Sequence, residues 1–147
     1  MVEAIISFKS DLTEKWLEHI GELVLRQEKI EQRKLVSLVI VSDKKIQTLN
    51  KEFLNHDRPT DVIAFPLEDE LDEMLGEVYV SRERAAEQAV IYGASFPREM
   101  ARLVIHGILH LCGFRDHSAE EKEKMRIRED YYLAECFKEG LLQEESG

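Results

Sequence analysis

The sequence predicts an α/β fold of the α+β-like kind, a small mixed sheet of about four strands covered by about five helices. Short β-branched runs alternate with segments of helical period along the first part of the chain, while the last part carries helical patterning only. No linker rich in Gly, Ser or Pro interrupts it, and no internal repeat or low-complexity tract appears. The expectation is therefore one domain spanning residues 1–147.

Ala4 to Phe8 reads as a first strand. Trp16, Leu17, Ile20, Leu23 and Val24 then recur at helical spacing, with Asp11 or Thr13 placed to cap. Leu35 to Val41 is β-branched and almost wholly apolar, as a strand covered on both faces should be. Ser42 can cap a helix that carries Ile46, Leu49 and Phe53 on one side. A polar loop, Asn55 to Pro59, delivers the short strand Val62 to Phe65, which Pro66 stops. Glu68 to Glu73 reads as an exposed acidic loop, and Gly76 to Val80 as another strand. Ser81 caps a helix running towards Gly93. Pro97 suits the first turn of the next helix, where a missing amide hydrogen costs nothing; that helix runs to about Cys112, and Gly113 supplies the left-handed residue that ends it. Ser118 and Glu121 form a capping box for a last helix towards Gly140.

The chain has 147 residues, of which 44% are hydrophobic, with only 7 Gly and 3 Pro. These proportions suit a globular core and exclude a fibrous or disordered chain. No apolar run approaches a membrane span, and no signal segment is visible, so the expected location is cytoplasmic. Two cysteines, Cys112 and Cys136, are too few for a disulfide framework. Twenty basic residues against 30 acidic give a net charge of −10. A surface that coats polyanions generally is excluded, because phosphate contacts need Lys and Arg to displace counterions; a discrete basic patch is not.

Three of the 5 histidines fall in one segment, His106-Gly-Ile-Leu-His110-Leu-Cys-Gly113-Phe-Arg-Asp-His117. Residues four apart share a helix face, so His106 and His110 can present imidazoles to one point. Gly113 turns the chain back and brings His117 towards it. Three neutral imidazoles with a fourth position open match a catalytic zinc site better than a closed structural one. His19 and His56 lack such company and read as surface or structural residues, His56 being the better candidate for a pocket rim. Cys112 reads as buried against the sheet rather than as a ligand.

This segment resembles the signature of the YbeY endoribonucleases, close to HGxLHLxGYDH, standing here as HGILHLCGFRDH. Pro59-Thr60-Asp61-Val62-Ile63-Ala64-Phe65-Pro66 resembles that family's PTDVLSFP, and Gly76 to Ser81 its GDI-type strand. The helix pattern agrees over nearly the whole chain. The resemblance implies a single-strand-specific, metal-dependent endoribonuclease acting in rRNA maturation at the 16S 3′ end and in ribosome biogenesis. It further implies one Zn²⁺ per chain held by His106, His110 and His117, with the metal-bound water as nucleophile. The partners implied are rRNA and the small ribosomal subunit or its assembly proteins, with neither DNA nor membrane.

Two departures from the pattern bear on the site. Arg115 is an extra residue, so Asp116 occupies the family's third-ligand spacing, and a carboxylate also binds zinc. His117 remains the favoured third ligand, since a loop beginning at Gly113 absorbs one residue. The family's arginine after an upstream aromatic is missing: Leu54 follows Phe53, and Arg58 comes four residues later. Arg115 has a claim to phosphate because it lies inside the signature loop. Arg98 and Arg102, preceding His106 on its helix, are placed to line an anionic groove or to pair with Glu99. Arg26, Lys29, Arg33 and Lys34 are explained by pairing with Glu22, Glu28 or Glu31.

Two other readings remain. One is a non-hydrolytic, zinc-containing ribosome-assembly factor, favoured by the missing acidic base and the acidic surface. The other is a metzincin-like metallopeptidase sharing the histidine helix; Gly107 stands where an HExxH protease carries its general base.

Overall fold

The computed structural model describes residues 1–6, 12–56, 60–67 and 73–143. Its elements are β1 (Val2–Ile6), α1 (Glu14–Gln27), β2 (Leu35–Val41), α2 (Asp43–Leu54), β3 (Val62–Pro66), β4 (Met74–Ser81), α3 (Arg82–Tyr92), α4 (Phe96–Leu111) and α5 (Ala119–Lys138). One 4-stranded sheet runs in the order β1-β2-β4-β3. β1, β2 and β4 are parallel, and β3 closes the edge antiparallel to β4. The mixed four-stranded sheet and five helices agree with the expected fold.

Side-chain alternation on the strands separates two apolar layers. Val36, Leu38 and Ile40 of β2, with Val78 and Val80 of β4, join the main core beneath α1, α4 and α5. Val41 of β2 and Ile63 of β3 meet Ile46 and Leu49 of α2 in a second cluster. β2 is therefore covered on both faces, which is why its sequence is apolar without alternation.

Local chemistry fixes the boundaries. Hydroxyls of Thr13, Ser42, Ser81, Ser95 and Ser118 each accept an amide hydrogen bond at a helix N-terminus. The capping box at Ser118 and Glu121 is complete. β1 begins two residues earlier than expected; Phe8 and Asp11 lie outside the described residues, as do Arg58, Pro59 and most of the acidic stretch (68–72). β3 includes Pro66, which an edge strand tolerates, paired with Gly76 of β4. Phe53, expected on the core side of α2, is 64% exposed and meets Phe65 edge-on at 5.6 Å between ring centres.

Candidate metal centre

α4 is the helix that builds the site. Its inner face, including Met100, Leu103, Val104, Ile105, Ile108 and Leu109, is fully or almost fully buried, which fixes its rotation. His106 and His110 then emerge together on the flank, partly exposed. Their rings meet edge-on, 4.6 Å between centres, and their Nε2 atoms stand 3.1 Å apart. After Leu111 the chain turns through Gly113 at φ +103°, a conformation glycine adopts without Cβ strain. Gly113 N–H donates to His110 O, and Phe114 N–H to Leu109 O. These bonds hold the loop tight against the helix end.

The loop presents Asp116, not His117, to the histidine pair. Asp116 Oδ2 lies 3.5 Å from His106 Nε2 and 3.4 Å from His110 Nε2. His117 is exposed and lines the same cavity without joining the donor group. Among the described residues the donor atoms that lie within 4.8 Å of one another are those of His106, His110 and Asp116, and the expected third ligand, His117, stands outside this group. The backbone bonds at Gly113 and Phe114 close the helix end, and the residues that follow bring Asp116 to the histidine pair.

The three donors fit an ion. Donors bound tetrahedrally at about 2.0–2.1 Å stand about 3.3 Å apart, and the edges of this triangle are 3.1, 3.4 and 3.5 Å. Burial, and next the neighbouring His106, pushes the His110 pKa below its ordinary value, favouring the neutral imidazole that a ligand must be. Behind the pair, His106 Nδ1 lies 2.7 Å from Glu129 Oε2 of α5.

A cavity of about 850 Å³ opens over these donors. Its other wall comes from the end of α2 and from β3, including Leu54, His56, Asp61 and Val62. His56 is thus at the pocket rim, as expected, while His19 is on the surface. Leu54 brings no charge to the wall. Asp61 is held by hydrogen bonds from Val62 N–H at 2.8 Å and Gln88 Nε2 at 3.3 Å. Arg115 also lines the cavity; its side chain is 69% exposed and its Nε stands 3.5 Å from Glu121.

Arg102 does not serve the cavity. It binds Glu99 on its own helix and, through Nη1 at 3.1 Å, Glu129 on α5. Burial opposes its charge, yet the Glu99 hydrogen bond and the two carboxylates hold its pKa above the ordinary arginine value. Arg98 is exposed and lines a separate cavity of about 350 Å³ with Arg102 and Glu99. The anionic-groove expectation is corrected for Arg102, whose pairing with Glu99 was the other option. In the basic segment from the last turn of α1 onward, Arg33 pairs with Glu31 at 2.6 Å, but Arg26 reaches Glu139 at 3.4 Å and Glu28 binds Arg128 at 2.8 Å. Burial pushes the Cys112 and Cys136 thiols up to about 12; Cys136 is buried, and Cys112, expected to be buried, packs partly buried against the core.

Sequence reasoning missed Glu129, which is 5% exposed, and named Glu99, which is 2% exposed, only as a partner of the helix arginines. A signal existed: Glu129 falls between Met125 and Leu133 at four-residue spacing, on the buried stripe of α5. An acid at a core position needs a partner.

The family model described as Endoribonuclease YbeY matches residues 3–136. The chain belongs to the YbeY endoribonuclease family. A YbeY of Carboxydothermus hydrogenoformans is 48% identical over 101 residues, 68% of this chain and 71% of that protein. One from Chloroherpeton thalassium is 40% identical over 129 residues, 88% and 90% of the two chains. Among solved structures, the solution structure of TM1509 from Thermotoga maritima aligns at TM-score 0.67 and 29% identity, covering 100% of this chain and 99% of that one. The matched residues include all three members of the donor triangle, His106, His110 and Asp116.

Proposed function

We propose that this chain is a single-strand-specific, metal-dependent endoribonuclease of rRNA maturation, acting at the 16S 3′ end within ribosome biogenesis. The observation that carries the reading is the triangle of His106, His110 and Asp116 at the floor of an open cavity in a chain matching endoribonucleases. Residues 1–147 work as one unit in the cytoplasm, on rRNA held by the small ribosomal subunit or its assembly proteins; no described helix is long and apolar enough to cross a membrane.

The side chains that would hold the ion are His106, His110 and Asp116, with His117 left at the cavity mouth. Zn²⁺ suits two imidazoles and a carboxylate. When bound, the ion supplies Lewis acidity towards water and neutralises phosphate charge. Arg115 is placed to exchange its exposed pair with Glu121 for an RNA phosphate, since an exposed ion pair is worth only about 0–1 kcal/mol. His56 lines the opposite wall and can reach a substrate lying across the donors. The peptidase alternative has no base at 107, because a side chain there would collide with Val78 of β4.

Incubation with a single-stranded RNA carrying a 16S 3′ end, with and without a chelator, tests the reading. Cleavage lost with the chelator and in His110→Ala is expected. Undiminished cleavage in both would overturn the metal dependence. Binding without cleavage in the metal-loaded protein would favour the assembly factor, and casein cleavage the peptidase.

A further inference from the structure

Glu129 carries two oxygens, and each has a different donor. Oε2 receives His106 Nδ1 at 2.7 Å, and Oε1 receives Arg102 Nη1 at 3.1 Å. Arg102 turns its Nη2 to Glu99 Oε2 at 3.2 Å. The result is a continuous chain, Glu99–Arg102–Glu129–His106, linking α4 to α5, with both carboxylates nearly excluded from water. Two carboxylates and one guanidinium leave the group one positive charge short, and the deficit points through Glu129 at the imidazole.

An ionised carboxylate only accepts hydrogen bonds. Oε2, on a carboxylate already paired with Arg102, is therefore placed to accept from an Nδ1–H of His106, the tautomer whose Nε2 lone pair faces His110 Nε2 and Asp116 Oδ2. Because Arg102 occupies the other oxygen, the carboxylate cannot rotate away from the ring without losing a buried charge-assisted bond.

We propose that Glu129 is a positioning residue for the metal centre: it sets the tautomer and the ring angle of His106 so that Nε2 is presented to the ion. This rests on the reading of His106 as a ligand. A carboxylate placed in this way also raises the basicity of a ligating imidazole. Sequence distance hides the pair, since Glu129 lies on the following helix.

Glu129→Gln separates positioning from packing. Glutamine keeps the volume but offers only one acceptor oxygen, so it cannot satisfy both Arg102 and His106. Zn²⁺ affinity, read by competition with a chelator dye, should fall by about 10–100-fold. Glu99→Gln disturbs the same buried chain without touching the imidazole, and should change affinity by less than about threefold. Long-range ¹⁵N spectra of the metal-free protein should show His106 as the Nδ1–H tautomer, and a changed tautomer ratio in Glu129→Gln. Equal losses in the two glutamine variants, or an Nε2–H tautomer in the parent, would overturn the proposal. Retention of Zn²⁺ by His106→Ala would instead overturn the ligand reading and this proposal with it. Should Glu129→Gln not fold, the parent spectrum decides alone.

Discussion

Gly107 lies against Val78 where α4 crosses β4, so closely that a Cβ at 107 would run into Val78 Cγ1 and stand 3.1 Å from Val62 Cγ2. The helix can approach the sheet to this distance only because that position has no side chain. His106 and His110 flank the contact on the same helix, so a shift of α4 away from the sheet would move both imidazoles with it. Gly107→Ala should gain a little helix propensity and lose more to overpacking, about 1–3 kcal/mol. Denaturant unfolding should show a lower midpoint, and Zn²⁺ affinity should drop with it. An unchanged midpoint would mean that Val78 yields without moving α4.

Asp116→Ala should cost more metal affinity than His117→Ala. The carboxylate oxygen is 3.4 Å from His110 Nε2, while His117 is exposed beyond the turn. Loss of a ligand should exceed the roughly 10–100-fold that accompanies loss of an orienting partner. A chelator titration giving the opposite order would return the third position to His117 and require the Gly113 loop to rearrange on binding.

Much of this arrangement is written locally and can be read locally. The limits of β2, the caps at Ser42, Ser81 and Ser118, and the stop at Gly113 each depend on a few neighbouring residues. The histidine pair follows from helical period alone. The third donor does not, because residue count along a loop says nothing about how tightly the loop folds after Phe114 N–H bonds back to Leu109 O. Arg102 could be assigned to Glu99 from spacing, but its second partner, Glu129, comes from another helix and depends on how α5 packs. Phe53 misleads for a related reason: it keeps the helical period of Ile46 and Leu49, yet it lies one turn past the end of the sheet's apolar cover and rests on Phe65.

RNA binding should be weak and steeply dependent on salt, since a net charge of −10 must be offset by a local patch. Arg115→Ala should weaken it more than Lys29→Ala, because Arg115 lines the donor cavity and is held only by an exposed pair. Filter binding of a single-stranded oligonucleotide across a salt series measures this. The slope against log salt should flatten by about one unit in Arg115→Ala and remain unchanged in Lys29→Ala. Equal effects of the two substitutions would remove the signature loop from the phosphate path.

The loop that holds Asp116 is pinned at its far end by the start of α5. Ser118 Oγ accepts from Glu121 N–H at 3.1 Å, and Glu121 Oε1 accepts from Ser118 N–H at 3.0 Å. Ser118 N–H, acting as the first of several donors, draws the Glu121 carboxyl below its ordinary pKa. Removing the hydroxyl leaves the amide of Glu121 without its cap and frees the first turn to fray, at a cost of about 0.5–2 kcal/mol. Asp116 stands two residues before this cap, so fraying transmits directly to the donor triangle. Ser118→Ala should lower thermal stability and weaken Zn²⁺ binding together, whereas Ser118→Asp, which caps as well, should preserve both. A variant that loses stability while keeping full metal affinity would show that the hydrogen bonds at Gly113 and Phe114 hold Asp116 in place without help from α5.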